Sequence, residues 1–292
     1  MRIATEAADG DEEIGSVVAT AYDRVGLKGV VTLEESKTLS YCTLDVVNGA
    51  QYDEGYISEK FVTDSDKKVA VLEKPYILLY SGKISYEENI VAIVSSVSEE
   101  IKKNEGSLFI IAENVTSNAL TYLENQKEKG LLRNAAIQNP GFAEDRFAIL
   151  VDIGNLTNTD VVFEDVIQGD FKNISFDHLG SADTIKIYPD YTIIVNGSGE
   201  DELIQARVSE LRDKIFELDE NGDYTPTTRK LWDRLIKLVA GVGVVYVGAD
   251  SRPAFKLKMA RAENALKAVK IAIEEDSTPG SGYDINRKFS WI

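Results

Sequence analysis

The chain has 292 residues, of which 43% are hydrophobic and 28% are charged, an ordinary balance for a globular protein with a sizeable core. One histidine, His178, and one cysteine, Cys42, cannot supply the four ligands of a structural zinc site or an intrachain disulfide, and they disfavour Ser-His-Asp and Cys-His catalysis. The 49 acidic and 32 basic residues give a net charge of −17, which disfavours nucleic acid and anionic membranes as partners.

Apolar periodicity predicts alternating helices and strands along the chain. The first half is predicted to contain a helix over 14–25 closed by Gly26, strands at 29–33, 43–47 and within 69–80, a helix over 86–103, a strand at 108–112 and a helix from 116 or 117 to about 129. The second half is predicted to contain strands at 135–137, 184–187 and 192–195, helices at about 200–219 and 227–239, a strand at 242–247 and a helix over about 254–275. This mixture indicates an α/β or α+β fold.

Helical segments lie towards both ends of the sequence and flank a central block. Two junctions that contain glycine, Val47-Asn-Gly49 and Leu238-Val-Ala-Gly241, bracket this block. Because glycine permits backbone rotation at low steric cost, the layout favours a central domain inserted into a helical one, with hinges at Gly49 and Gly241. No apolar run approaches the roughly 18 to 20 residues of a membrane helix, and no secretory signal is evident, so we expect a cytoplasmic protein without a membrane partner.

The segment 44–61, LDVVNGAQYDEGYISEKF, resembles LDVVEGMQFDRGYLSPYF of the group I (bacterial GroEL-type) chaperonins. Further blocks agree with that family in order and spacing over nearly the whole chain. They are DEEIG at 11–15, VGLKGVVTLEE at 25–35, KPYILL at 74–79, LFIIAENV at 108–115, NPGFAEDR at 139–146, IIVNGSGE at 193–200, LVAGVGVVYVGA at 238–249 and ARAENALKAVKIAIEE at 260–275. The ordered series carries the resemblance, rather than any single motif.

The resemblance implies that the chain is a piece of a chaperonin subunit. Residues 49–240 would form the apical, polypeptide-binding domain, with mixed sheets and flanking helices. Residues 1–48 and 241–276 would form the two parts of a mostly helical intermediate domain, and 277–292 would lead to an equatorial domain that is absent from this sequence. We expect a homo-oligomeric ring for the complete protein and a monomer for this chain alone.

In this family, non-native polypeptide clients bind an exposed apolar patch, because unfolded chains are recognised by the apolar side chains that they expose. The resemblance carries this role to Tyr56, Ser58 and Phe61 in an extended segment, Val91 and Val94 in a first helix, and Leu120 and Leu123 in a second. Val91 lies about 100° from the core-facing Ile90 on the helical wheel. The apolar arc of the first helix is therefore wider than packing against the core on one side requires. We therefore expect Val91, Leu120 and Phe61 to be exposed.

Several positions of this patch differ from the family pattern. Lys60 replaces an aromatic residue, Glu124 and Asn125 replace two valines, and Glu54 replaces a basic residue. We therefore expect a smaller and more polar client groove, and no intersubunit salt bridge of the family type from position 54. Because the co-chaperonin docks in the same groove, we expect weak or no binding of a standard bacterial co-chaperonin.

Complete chaperonin subunits bind ATP and Mg²⁺. By resemblance, this chain contains a few positions of that nucleotide site. Where the family has an aspartate suited to positioning Mg²⁺ and water, this sequence has Asn264, which keeps the shape but loses the charge. The family's following glycine run is only partly matched, by Gly280 and Gly282. We expect slow hydrolysis in a complete subunit, and neither ATPase activity, a cofactor nor a metal site in this chain alone. The plain alternative is that Asn264 is a solvated helix residue.

Two other classes of function remain open from the sequence. The chain could be a scaffold or interaction module that kept the fold but lost client binding, as the polar residues Lys60, Glu124 and Asn125 would allow. It could also be a hinged α/β enzyme or small-ligand receptor with acidic residues in a cleft, although the ordered family blocks disfavour this alternative.

Overall fold

The computed structural model describes residues 1–26, 29–36, 40–142, 144–167, 170–218 and 225–276. The strands in these ranges are β1 (Val30–Glu35), β2 (Thr43–Val47), β3 (Gly49–Tyr52), β4 (Ala70–Glu73), β5 (Pro75–Tyr80), β6 (Lys83–Ile84), β7 (Ser107–Ala112), β8 (Asn114–Val115), β9 (Asn134–Gln138), β10 (Val161–Val162), β11 (Gly180–Ile187), β12 (Thr192–Gly197) and β13 (Val242–Val247). The helices are α1 (Arg2–Ala7), α2 (Glu12–Val25), α3 (Glu87–Lys103), α4 (Ser117–Glu128), α5 (Glu144–Thr157), α6 (Glu164–Ile167), α7 (Asp201–Leu218), α8 (Pro226–Ala240) and α9 (Arg252–Asp276).

The mixed α/β class is confirmed, and the predicted elements are present with several ends shifted by a few residues. Helix α5 was not predicted, and neither were the short elements β10 and α6 that follow it. The chain divides into two compact units, one formed by Met1–Val47 with the chain from Val242 onward, and the other by Asn48–Gly241. We call them the discontinuous unit and the central unit.

The discontinuous unit contains a three-stranded sheet in the order β1-β13-β2, covered by helices. Strand β1 pairs in parallel with β13, and β2 pairs with β13 in the antiparallel sense. The N-cap of helix α2 is Asp11, whose carboxylate accepts a hydrogen bond from the Ile14 amide at 3.2 Å. The helix ends before Gly26, which has a φ of 78°. An ion pair of 2.8 Å between Glu13 Oε2 and Lys258 Nζ links α2 to α9.

The central unit is built on an eight-stranded sheet, whose main path is β3-β12-β11-β5-β7-β9. Strands β5, β7 and β9 are parallel, whereas β11 and its neighbours are antiparallel. Every residue of β7 is buried, as expected for a parallel strand covered on both faces. Helix α3 contributes one buried stripe to the same core, formed by Ile90, Ile93, Val94, Val97 and Ile101.

A buried charge cluster joins three helices of the central unit. Asp152 of α5 is 3% exposed and accepts hydrogen bonds from Arg207 Nε of α7 at 2.7 Å and from Arg234 of α8. Arg234 binds it in the bidentate mode, with Nε at 2.6 Å and Nη2 at 2.9 Å from the carboxylate oxygens. Because a buried ion is costly without its partners, this cluster fixes how the three helices pack.

Replacement of Asp152 by alanine would leave two largely buried guanidinium groups without their shared anion. We expect Asp152→Ala to lower the free energy of unfolding by about 3 to 5 kcal/mol, measured by urea denaturation followed by circular dichroism. The matched control is Asp145→Ala, which removes a more exposed carboxylate paired with Lys230 at 2.6 Å. The control should cost no more than about 1 kcal/mol, and equal losses in the two variants would contradict the assignment.

Candidate functional site

An open groove of about 440 Å³ lies in the central unit between an extended segment and the beginning of α4. The segment 54–57 forms one wall, and 114–117 with Leu120 forms the other. Gln138 and Pro189 complete the lining. Apolar surface from Tyr56, Ile57 and Leu120 therefore meets hydroxyl and amide groups in one cleft, a combination typical of binding sites.

Backbone contacts with a neighbouring turn fix the first wall. Gly55 approaches this turn so closely that a Cβ atom there would lie 1.9 Å from the carbonyl oxygen of Pro189, so only glycine fits. The next residue, Tyr56, donates its backbone N–H to the carbonyl of Tyr188 at 3.2 Å. The turn therefore holds the backbone from which the Tyr56 side chain projects.

Two further hydrogen bonds hold the ends of this wall. The hydroxyl of Thr192 donates to the backbone carbonyl of Glu54 at 2.7 Å. The backbone N–H of Ile57 donates to the carbonyl of Ala136 in β9 at 3.2 Å. The segment 54–57 is thus anchored to the sheet, which lowers the entropy that a ligand must remove on binding.

The second wall depends on how α4 is rotated against the core. Ala119 and Leu123 are fully buried, and they lie four residues apart on one face of the helix. Leu120 lies about 100° away from Ala119 and is therefore only partly buried, where it lines the groove. The preceding Thr116 donates its amide to the carbonyl of Ile84 at 3.0 Å, which ties the start of α4 to β6.

Polar residues connect the extended segment to α4 beyond the groove, and we call this set the polar clasp. Its members are Ser58, Lys60, Glu124, Lys127 and Glu128. Glu124 accepts a hydrogen bond from Ser58 Oγ at 2.7 Å and pairs with Lys60 Nζ at 3.0 Å. Lys60 also pairs with Glu128 at 3.2 Å, and Lys127 Nζ donates to the carbonyls of Lys60 and Val62 at 2.5 and 2.7 Å. The charged residues at positions 60 and 124 thus bind each other.

The structure corrects the expected exposure of Phe61 and buries two further client-binding candidates, Val94 and Leu123. Phe61 was expected to be exposed, but its side chain is 0% exposed because the 3₁₀ turn Glu59–Phe61 directs it into the core of the central unit. Val94 and Leu123 also belong to this core, so they cannot present their side chains to a client without rearrangement. Phe61, Val94 and Leu123 are therefore core residues and do not line the groove.

The other candidates from the extended segment and the two helices are partly accessible. Tyr56, Ser58, Val91 and Leu120 are half-buried. Tyr56 and Leu120 both line the groove, whereas Ser58 is engaged in the polar clasp. Val91 lies on α3, outside the residues that line the groove in the described part of the chain.

The remaining sequence candidates lie away from this groove. Asn264 is exposed on α9 of the discontinuous unit. Gly241 follows α8 at a φ of 65°, which disfavours any other residue, whereas Gly49 lies in β3 and pairs with Val195 of β12. Gly280 and Gly282 lie outside the described residues.

The sequence pattern did not single out several residues of the groove. Ile57 lies within the segment that resembles the chaperonins, so attention to every apolar residue of that segment would have found it. Pro189 and Gln138 come from a turn and a strand end that are distant in sequence, and no local signal marks them.

An exposed aromatic patch was also missed. Phe147 and Phe163 are 51% and 36% exposed, and their rings stack with centroids 5.8 Å apart. Val166, which is 76% exposed, donates its backbone N–H to the carbonyl of Phe163 at 3.0 Å. We call Phe147, Phe163 and Val166 the aromatic patch. Its apolar surface is exposed, and it lies outside the groove.

Few other features of the described residues suggest chemistry. Nδ1 of His178 lies 3.0 Å from the hydroxyl of Ser175 and 3.2 Å from its amide, where the ring caps a short 3₁₀ turn. In the ranges described, no three His, Cys, Asp or Glu side chains are placed to hold a metal ion, and no helix is both long and apolar enough to cross a bilayer. No model of a known protein family matches the chain.

Acid should weaken the polar clasp through Glu124. Burial alone would raise the pKa of this carboxyl, but hydrogen bonds from Ser58 and Lys60 outweigh burial and lower the pKa below its ordinary value of 4.5. A carboxyl with a lowered pKa stabilises the folded state above its unfolded-state pKa and loses that contribution as the pH falls through its folded-state pKa. We expect the free energy of unfolding of the wild type to exceed that of Glu124→Gln at neutral pH. This difference should shrink below about pH 4.5.

Urea unfolding at several pH values between about 7 and 3 measures this difference. The matched control is Glu59→Gln, because Glu59 is an exposed carboxylate of the same segment that lies outside the polar clasp. The control should follow wild type at every pH. A stability difference for Glu124→Gln that does not change with pH would contradict the role of its charge.

Proposed function

We propose that the chain is the apical and intermediate portion of a divergent group I chaperonin subunit and that its groove binds non-native polypeptides. The observation that carries this proposal is the anchored wall formed by 54–57, which presents Tyr56 and Ile57 opposite Leu120 in an open cleft. The division of the chain next to Gly49 and Gly241 supports it, because the resemblance puts the domain junctions there. The ordered sequence blocks support it further.

The composition of the groove suits an unfolded segment better than a small substrate. Apolar side chains gain about 25 cal/mol for each Å² of apolar surface that they remove from water, whatever the client sequence. Asn114, Thr116 and Gln138 offer amide and hydroxyl groups that can satisfy the backbone of an extended client. A site of this kind binds many sequences moderately rather than one ligand tightly.

In a complete subunit, the same proposal assigns the energy source to an equatorial domain. ATP and Mg²⁺ bound there would drive movement about Gly49 and Gly241 and so cover the groove in a cytoplasmic ring. Gly241 suits a hinge because its φ of 65° is already in the region that glycine favours. Asn264 would slow the hydrolysis step, and the chain alone would bind clients without nucleotide.

Suppression of aggregation tests client binding directly. We expect the chain to reduce light scattering by a chemically denatured client without ATP. Leu120→Glu should weaken the apparent affinity for the client about tenfold or more, because a charge replaces apolar surface in the groove. Tyr56→Ser provides a second groove variant with a smaller change in charge, in case Leu120→Glu is unstable.

The matched control is Leu203→Glu, which changes an exposed leucine on α7 in the same way but outside the groove. It should protect the client as wild type does, and circular dichroism should show that all variants are folded. Absence of protection at several-fold molar excess, or equal loss in Leu203→Glu and Leu120→Glu, would overturn the proposal.

A second candidate function is an interaction module that binds a folded partner. The aromatic patch favours it, because exposed stacked phenylalanines are more common at protein interfaces than elsewhere on a surface. The double variant Phe147→Ser with Phe163→Ser separates the two functions. If this variant still protects denatured clients, the patch is not the client site, and if it alone loses protection, client binding belongs to the patch rather than to the groove.

A further inference from the structure

One carboxylate in the wall of the groove has no hydrogen-bond or ion-pair partner among the residues that the structure describes. Glu54 is half-buried and lines the cleft beside Tyr56. Its backbone carbonyl is held by Thr192, which fixes where the side chain starts. Within the part of the chain that the structure describes, the Glu54 carboxylate forms neither a hydrogen bond nor an ion pair.

The nearby cations are bound by other groups. Arg146 attracts Glu54 at longer range, but its own hydrogen bonds go to the Gly141 carbonyl at 3.1 Å and to Glu113 at 3.3 Å. On the exposed side, Asp53 lies 3.6 Å from Lys237. Lys60 is likewise engaged by two carboxylates of the polar clasp. Glu54 is therefore the acidic group of the groove that is still available to a ligand.

An unpaired carboxylate in a partly dry site is unfavourable for the free protein. Burial raises the pKa of Glu54, and the neighbouring charge of Asp53 acts in the same direction against the attraction of Arg146. A ligand that brings a positive charge to this carboxylate would form a charge-assisted hydrogen bond and so offset the desolvation cost of the carboxylate. A ligand without a positive charge would cover the half-buried carboxylate further and leave it unpaired, at an additional cost.

We propose that the groove prefers extended polypeptide segments that place a lysine or arginine on Glu54 and apolar side chains against Tyr56, Ile57 and Leu120. This inference rests on the proposed function and adds a specificity to it. Side chains two residues apart on an extended segment point the same way and lie about 7 Å apart, so a basic residue flanked by apolar ones at that spacing fits a cleft with these neighbours. The net charge of −17 attracts basic clients generally, so the test must separate this long-range effect from Glu54 itself.

Three fluorescent peptides test the preference. They share one apolar sequence and differ at a single central position, which is lysine, norleucine or glutamate. Fluorescence anisotropy at near-physiological salt measures their dissociation constants with wild type, Glu54→Gln and Asp53→Asn. Asp53→Asn is the matched control, because it removes the same charge from the adjacent residue, whose side chain is 83% exposed and does not line the groove.

We expect wild type to bind the lysine peptide about fivefold more tightly than the norleucine peptide, and the glutamate peptide most weakly. Glu54→Gln should bind the lysine and norleucine peptides equally, whereas Asp53→Asn should keep the preference. Equal binding of these two peptides by wild type, or loss of the preference in Asp53→Asn as well, would overturn the specificity alone. Failure of wild type to bind any of the peptides, or binding that Leu120→Glu leaves unchanged, would overturn the proposed function with it.

Discussion

The pairing of β2 with β13 determines how the chain divides into two units. It places Val47 opposite Val242, so the chain leaves the discontinuous unit and returns to it at neighbouring points. The 48–241 segment between them can therefore form its own sheet and core as one continuous insertion. Because the turn from α8 into β13 runs through Gly241 at a φ of 65°, the return crossing depends on a residue without a side chain.

Inside the central unit, order at the groove comes from backbone contacts and charge pairs rather than from apolar packing alone. The close approach of Gly55 to Pro189 and the hydrogen bond from Ile57 to Ala136 hold one wall, and the polar clasp holds the adjoining segment to α4. Such a site loses little entropy on binding, but it also adapts less to different ligands. The ion pair between Lys60 and Glu124 thus restrains the segment next to the groove.

The sequence predicted the elements whose apolar residues repeat with a clear period, such as α3, with its stripe from Ile90 to Ile101, and the uninterrupted strand β7. It failed for α5, because the consecutive apolar residues from Phe147 to Val151 show no helical period, and a buried Asp152 interrupts the pattern. It also failed for the exposure of Phe61, since a 3₁₀ turn that rotates one side chain inward has no periodic signature. Contacts between distant segments, such as that of Gly55 with Pro189, appear only once the sheet is assembled.

The charge of the molecule acts on a ligand in two ways, by long-range attraction and by direct contact in the groove. At physiological ionic strength, exposed charges are screened beyond about 8 Å, so the net charge of −17 affects how often a charged ligand meets the surface more than how tightly it is held. Tight binding depends on charges that are already desolvated. Most acidic groups around the groove are neutralised by nearby cations, as Glu124 is by Lys60, and they contribute little to a ligand. Glu54 differs because its carboxylate forms neither a hydrogen bond nor an ion pair among the described residues, which is why the proposed selectivity is assigned to this one group.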